Sequence, residues 1–195
     1  MNTQTIITTC TPFLVGILGV YYGQRIYIGQ RRFNYKERQL NELYSPILGI
    51  IKEIQAKSMV RELINEKANE AWKESIKEWE ASNKSLEGPN IKPYEEIINY
   101  NNAQLKEELV PGYKKIISLI TENYSLADEE TTKWYNVLFE FIEIWNRSLN
   151  NSLPIDVVRK LDHREAKHIE FYNHVENQVA KIKIELKPRS LRRIL

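Results

Sequence analysis

The side chains able to do acid–base or metal chemistry are few and crowded together. All three histidines fall between positions 163 and 174, and two of them follow an arginine by four residues: Arg159 and His163 in RKLDH, then Arg164 and His168 in REAKH. Each pair sets a permanent cation beside a group that titrates near neutral pH. The second stretch also reads Glu165-x-x-His168, the (i, i+3) unit of di-iron helical bundles, but such a centre needs a second unit and further carboxylates on other helices. The chain holds no second unit, so no metal and no cofactor is expected, and Glu165 reads as part of a charged helix face. No glycine-rich phosphate loop, HExxH motif or Ser-His-Asp arrangement is present. The one cysteine, Cys10, sits in an apolar run out of reach of soluble substrates.

The elements that must position these groups are helices. Glycine and proline number 7 each in 195 residues, and alternating polarity is scarce, which argues against sheet. Residues 30–44 are basic and then amphipathic, continuing an N-terminal helix that Ser45 and Pro46 should interrupt. Apolar residues then recur at helical spacing through Ile47, Ile51, Ile54, Val60, Ile64, Ala68, Trp72, Ile76 and Trp79, predicting one long helix. A loop over residues 82–92 ends it, and Pro93 starts another, which Val110, Pro111 and Gly112 should break or kink. Asp128 begins a helix in which Trp134, Leu138, Phe141 and Trp145 form one stripe and Tyr135, Phe139 and Ile142 a second, marking it as central. After Pro154 comes a short turn, and from Arg164 a last helix presents Tyr172, Val175, Val179, Ile182 and Leu186. About 140 residues suffice for one core of four or five such helices.

The N-terminus is of another kind. Residues 1–24 carry no charged side chain, and residues 6–22 are apolar or weakly polar throughout. At ~1.5 Å per residue those alone fall slightly short of a ~30 Å hydrocarbon core. Extension to Ile28, with Arg25 snorkelling to the headgroups and Tyr21, Tyr22 and Tyr27 at the interface, completes a span. A cleaved signal would want a basic start and a small-residue cleavage site, and neither is present. The expected organisation is all-α: a single transmembrane helix (1–28), a basic juxtamembrane helix (29–45), a four- to five-helix cytoplasmic bundle (46–187) and a basic tail (188–195).

Arg25, Arg31 and Arg32 head a basic flank on one side of the span only, which puts the N-terminus outside and the bundle in the cytoplasm. The Asn-x-Ser sequons at Asn83, Asn123, Asn146 and Asn150 then read as chance in an Asn-rich chain. Within the span Gly19 and Gly23 form a small-xxx-small pair, with Gly16 about one turn earlier. Such spacing lets backbones approach where packing drives helix association, so a homo-oligomer is expected. The formal charge of +2 hides a partition: residues 1–38 hold five basic residues against Glu37, residues 181–195 hold six against Glu185, and the remainder has 17 basic and 24 acidic, a net of −7. Basic ends flank an acidic body, with membrane lipid as the partner of the first cluster and lipid, a neighbouring subunit or RNA as partners of the tail.

An arginine–histidine pair near the start of a bundle's last helix resembles the HEPN superfamily, small four-to-five-helix bundles whose Arg-x(4–6)-His motif cleaves RNA when two protomers face each other. Here both spacings are x3, and the residue after the arginine is Lys160 or Glu165. A span followed by such a bundle also resembles the ancillary membrane proteins that accompany some bacterial CRISPR effectors. That resemblance implies an oligomeric scaffold at the inner membrane, whose spans form a pore in antiviral defence. Two functions follow: a non-enzymatic, membrane-anchored oligomer that answers a protein partner or signal, or a membrane-tethered, metal-independent ribonuclease or RNA binder using Arg159, His163, Arg164 and His168.

Overall fold

The computed structural model describes residues 3–82, 88–161 and 168–187, with side chains from residue 18 onward apart from that of Ile155. Every regular element among them is helical. The N-terminal half is one unbroken rod made of α1 (Thr3–Arg38), a π turn (Gln39–Tyr44) and α2 (Ser45–Ala81). The interruption expected at Ser45 and Pro46 does not occur, and the π turn explains why. Pro46 has no N–H to give the Glu42 carbonyl, and in a regular helix its ring would crowd that oxygen. Here the turn widens, with the Ser45 amide reaching back to the Leu40 carbonyl. Asn123 Nδ2 then donates to the Glu42 oxygen at 3.2 Å.

The same device carries a second rod past Pro111. α3 (Lys92–Gln104), a π turn (Leu105–Leu109) and α4 (Val110–Glu122) follow one another without a gap, and the Val110 amide bonds the Leu105 carbonyl. The break or kink expected at Val110–Gly112 is thereby absorbed into a wider turn. A 3₁₀ turn (Tyr124–Leu126) leads to α5 (Glu129–Leu149), capped as expected by Asp128, whose Oδ1 accepts from the Thr131 amide at 2.7 Å. The short α6 (Ile155–Val158) and the long α7 (Ile169–Leu186) complete the described chain.

One core joins both rods to α5 and α7. Ile47, Ile51 and Ile54 of α2 meet Tyr113, Ile116 and Ile120 of α4, and Leu138, Phe171, Val175 and Val179 close the far side. Close approach of α4 to α2 is permitted by Gly112, where an added Cβ would stand 3.2 Å from Ile54 Cδ1. The expected stripes of α5 and α7 are largely buried, although Phe139 is 54% exposed and Phe171, passed over in the sequence, is fully enclosed.

The stripe of α2 departs from expectation after Ser58. Val60 and Ile64 are exposed, because α2 has 37 residues against 21 for α5 and 18 for α7 and so, at ~1.5 Å per residue, outruns both by more than ~20 Å. Its distal half pairs instead with α3 as a projecting hairpin, held by a Trp72–Tyr94 edge contact at 5.0 Å and an Asn101–Asn65 hydrogen bond of 2.8 Å.

Truncations should distinguish core from projection. Ile116→Ala is expected to lower the unfolding free energy by about 2–5 kcal/mol, and Val60→Ala to change it by no more than about 0.5 kcal/mol, as read from urea unfolding followed by circular dichroism.

Candidate functional site

Before it reaches the core, α1 is bare. Every described side chain from residue 18 to residue 35 is exposed, and these include Leu18, Val20, Ile26 and Ile28, the last three more than 60% accessible. Tyr21 stacks edge-on to Tyr22 with centroids 5.9 Å apart, and the Arg25 guanidinium lies 5.7 Å from the Tyr21 ring centroid. A Cβ built on Gly19 or Gly23 meets nothing within 4 Å, so packing among the described residues does not require either to be small. Gly16 and the rest of residues 1–17 lie outside the described side chains. Among the described residues no helix is long and apolar enough to cross a membrane, and most of the apolar run expected to do so belongs to those first residues.

The foot of α1 is fastened to the bundle. Tyr35 donates its hydroxyl to the Ser125 carbonyl at 3.2 Å, and Gln39 Nε2 donates to the Leu126 carbonyl at 2.7 Å. Lys36 pairs with Glu185 of α7 at 3.3 Å. The two helices diverge around that pair to leave a cleft of about 670 Å³. One wall is Gly29, Arg32, Phe33 and Lys36, spaced i, i+3, i+4 and i+7 along one face of α1. The other wall is the end of α7, with Lys181 and Glu185. Three cations therefore face one carboxylate. Arg31, one position and ~100° round the helix from Arg32, is exposed and does not line this cleft.

The arginine and histidine positions are not gathered into one accessible site among the described residues. Arg159 follows α6, is exposed, and sits 3.8 Å from Asp156. His168 is fully enclosed, with its ring 4.5 Å from Phe141 and 5.4 Å from Tyr113. A histidine that shuttles a proton for RNA must meet the polymer, whereas this one is packed among aromatic rings. His163, Arg164 and Glu165 lie outside the described residues. Among the described residues no group of three or more His, Cys, Asp or Glu side chains could hold a metal ion.

Sequence reasoning missed a polar cluster at the start of α5. Thr131 Oγ1 lies 2.8 Å from His174 Nε2 and 3.2 Å from the Tyr44 hydroxyl. Gln178 donates to Asp128 Oδ2 at 2.6 Å, and His174 faces Asp128 at 3.3 Å and Glu130 at 3.5 Å. Burial pushes the Asp128 carboxyl up, but hydrogen bonds from Thr131 and the neighbouring His174 outweigh it and hold the group below its ordinary range. Burial raises the Tyr44 hydroxyl above its own. This cluster ties the first π turn, through Tyr44, to α5 and α7. The legible signal was the Asp-x-x-Thr cap, since His174 and Gln178 come from a separate helix.

No protein-family model, curated protein or solved structure matches the chain.

Because the folded-state pKa of Asp128 is depressed, its contribution to stability is present above the unfolded value of ~3.9 and is lost as pH falls through the folded value. Urea midpoints measured across a pH series should fall below about pH 4 in the wild-type chain. Asp128→Asn should lower the neutral-pH midpoint and flatten that acid decline.

Proposed function

We propose that this chain is a membrane-anchored, oligomerising helical-bundle protein, non-enzymatic, acting as an accessory or effector at a bacterial inner membrane. The observation that carries the reading is the bare N-terminal rod. Its apolar side chains from Leu18 to Ile28 find no cover among the described residues, and the uncharged run continues back to residue 1. Exposing such a surface to water costs about 25 cal/mol per Å² relative to burial, so it is a surface in want of a partner. Lipid is a partner that fits a helix apolar all round and flanked by tyrosines and then arginines. The cations Arg25, Arg31 and Arg32 follow the apolar run, and the side of a span that carries such a basic flank is the one that favours the cytoplasm, here the side of the bundle.

Assembly follows from the glycines. Gly19 and Gly23 share one face of α1 and are unneeded for packing against the described residues of one protomer, so their smallness serves contact between copies, where close backbone approach is the main attraction in lipid. A ring of such helices would perturb or perforate the bilayer. The bundle would then receive the signal or protein partner. The enclosure of His168 within the core weighs against the ribonuclease alternative, since RNA would reach that ring only after the core opened.

The mass of the full-length chain solubilised in mild detergent tests this reading. An oligomer is expected, and Gly19→Leu with Gly23→Leu should lower its mass without reducing helicity. A wild-type monomer would contradict the proposal, and a double variant of unchanged mass would move assembly from α1 to the bundle.

A further inference from the structure

We infer that the cleft between α1 and α7 is a binding site for the phosphate of an anionic lipid headgroup, with Arg32, Lys36 and Lys181 as its cationic ligands. The inference rests on the membrane reading and adds a defined site to it. Three observations converge. Among the described residues the charge is unbalanced: three cations line the cleft and Glu185 is the one carboxylate opposing them, engaged with Lys36 at 3.3 Å. That pairing fixes Lys36 at the mouth and leaves two cations more than the carboxylate can neutralise, one on each wall. The depth is right. With Tyr27 and Ile28 at the edge of the hydrocarbon, Arg32 lies about 6 Å further along the helix axis, within the ~5–8 Å headgroup layer of one leaflet, and Lys36, about 12 Å along, stands just outside that layer with a side chain long enough to reach back into it. The third observation is shape: ~670 Å³ lies within the range of small-molecule pockets. Its walls are mixed, since Phe33, 47% exposed, lies on the same wall as Arg32 and Lys36, so a ligand with an anionic head and an apolar tail meets matching surfaces.

A general basic collar attracts any anionic surface through any of its cations, each acting additively. A built cleft differs, because only the cations that line it matter. Arg31 and Lys183 supply the comparison, both being exposed and outside the lining.

The experiment uses the full-length chain with vesicles of phosphatidylcholine alone or mixed with phosphatidylglycerol. Flotation is read first, and then the lipid retained after mild detergent release, by native mass spectrometry. Wild type should float with both vesicles and retain phosphatidylglycerol preferentially. Arg32→Gln with Lys181→Gln should still float but lose that preference by on the order of twenty-fold, whereas Arg31→Gln with Lys183→Gln should keep it. Equal loss in the two double variants, or no loss in the first, overturns the cleft while leaving the anchor intact. Displacement of retained lipid by inorganic phosphate at comparable concentration assigns the site to a free anion and overturns the lipid source. Failure of the wild-type chain to float with either vesicle overturns the anchor, and the headgroup site with it.

Discussion

The structure depends on one constraint, that a helix must pass two prolines without breaking. At Pro46 the missing amide would leave the Glu42 carbonyl unpaired and the ring would press on it. A π turn and the Asn123 side chain resolve both problems. The consequence reaches well beyond a local repair. α1 and α2 become one lever, so the bare apolar segment is rigidly continuous with Leu43, Tyr44, Ile47 and Ile51 in the core. Arg38 and Glu42 brace the turn from outside with a two-pronged ion pair, and the guanidinium beside it holds the Glu42 carboxyl below its ordinary range.

Around that lever the charges are sorted. The body between residues 39 and 180 is net acidic, while α1 and the end of α7 concentrate cations where the rod leaves the bundle. The Lys36–Glu185 pair and the Tyr35–Ser125 hydrogen bond set the angle at which α1 departs. Because these contacts are half exposed, each contributes modestly. Their effect is geometric, holding Arg32 and Lys181 across one cleft.

Much of the fold was legible because helical periodicity and caps are local signals. The Asp128 cap, the Pro93 start, the short turn after Pro154 and the buried face from Tyr172 to Ile182 all follow from spacing and side-chain type. The continuity at Pro46 and Pro111 was not legible, since a proline reads as a break unless the partner that satisfies its orphaned carbonyl is known, and Asn123 lies far along the chain. The exposed half of α2 was misread for a related reason. Val60 and Ile64 keep the apolar rhythm, but burial depends on whether a neighbouring helix extends that far. The cleft required Lys181 to be brought beside Arg32 across more than 140 residues of sequence, which periodicity cannot do. His168 shows the converse: its motif suggested chemistry, and packing among Phe141, Tyr113 and Tyr172 made it a core residue.

The central claim is that the N-terminal rod holds this protein in a bilayer and that the bundle folds without it. Membrane fractionation with an alkaline carbonate wash, comparing the full-length chain with one beginning at residue 29, tests it most directly. The full-length chain is expected to stay in the washed membrane pellet and the shortened chain to be recovered in the soluble fraction, helical and cooperatively unfolding. Full-length protein in the soluble fraction without detergent would contradict it.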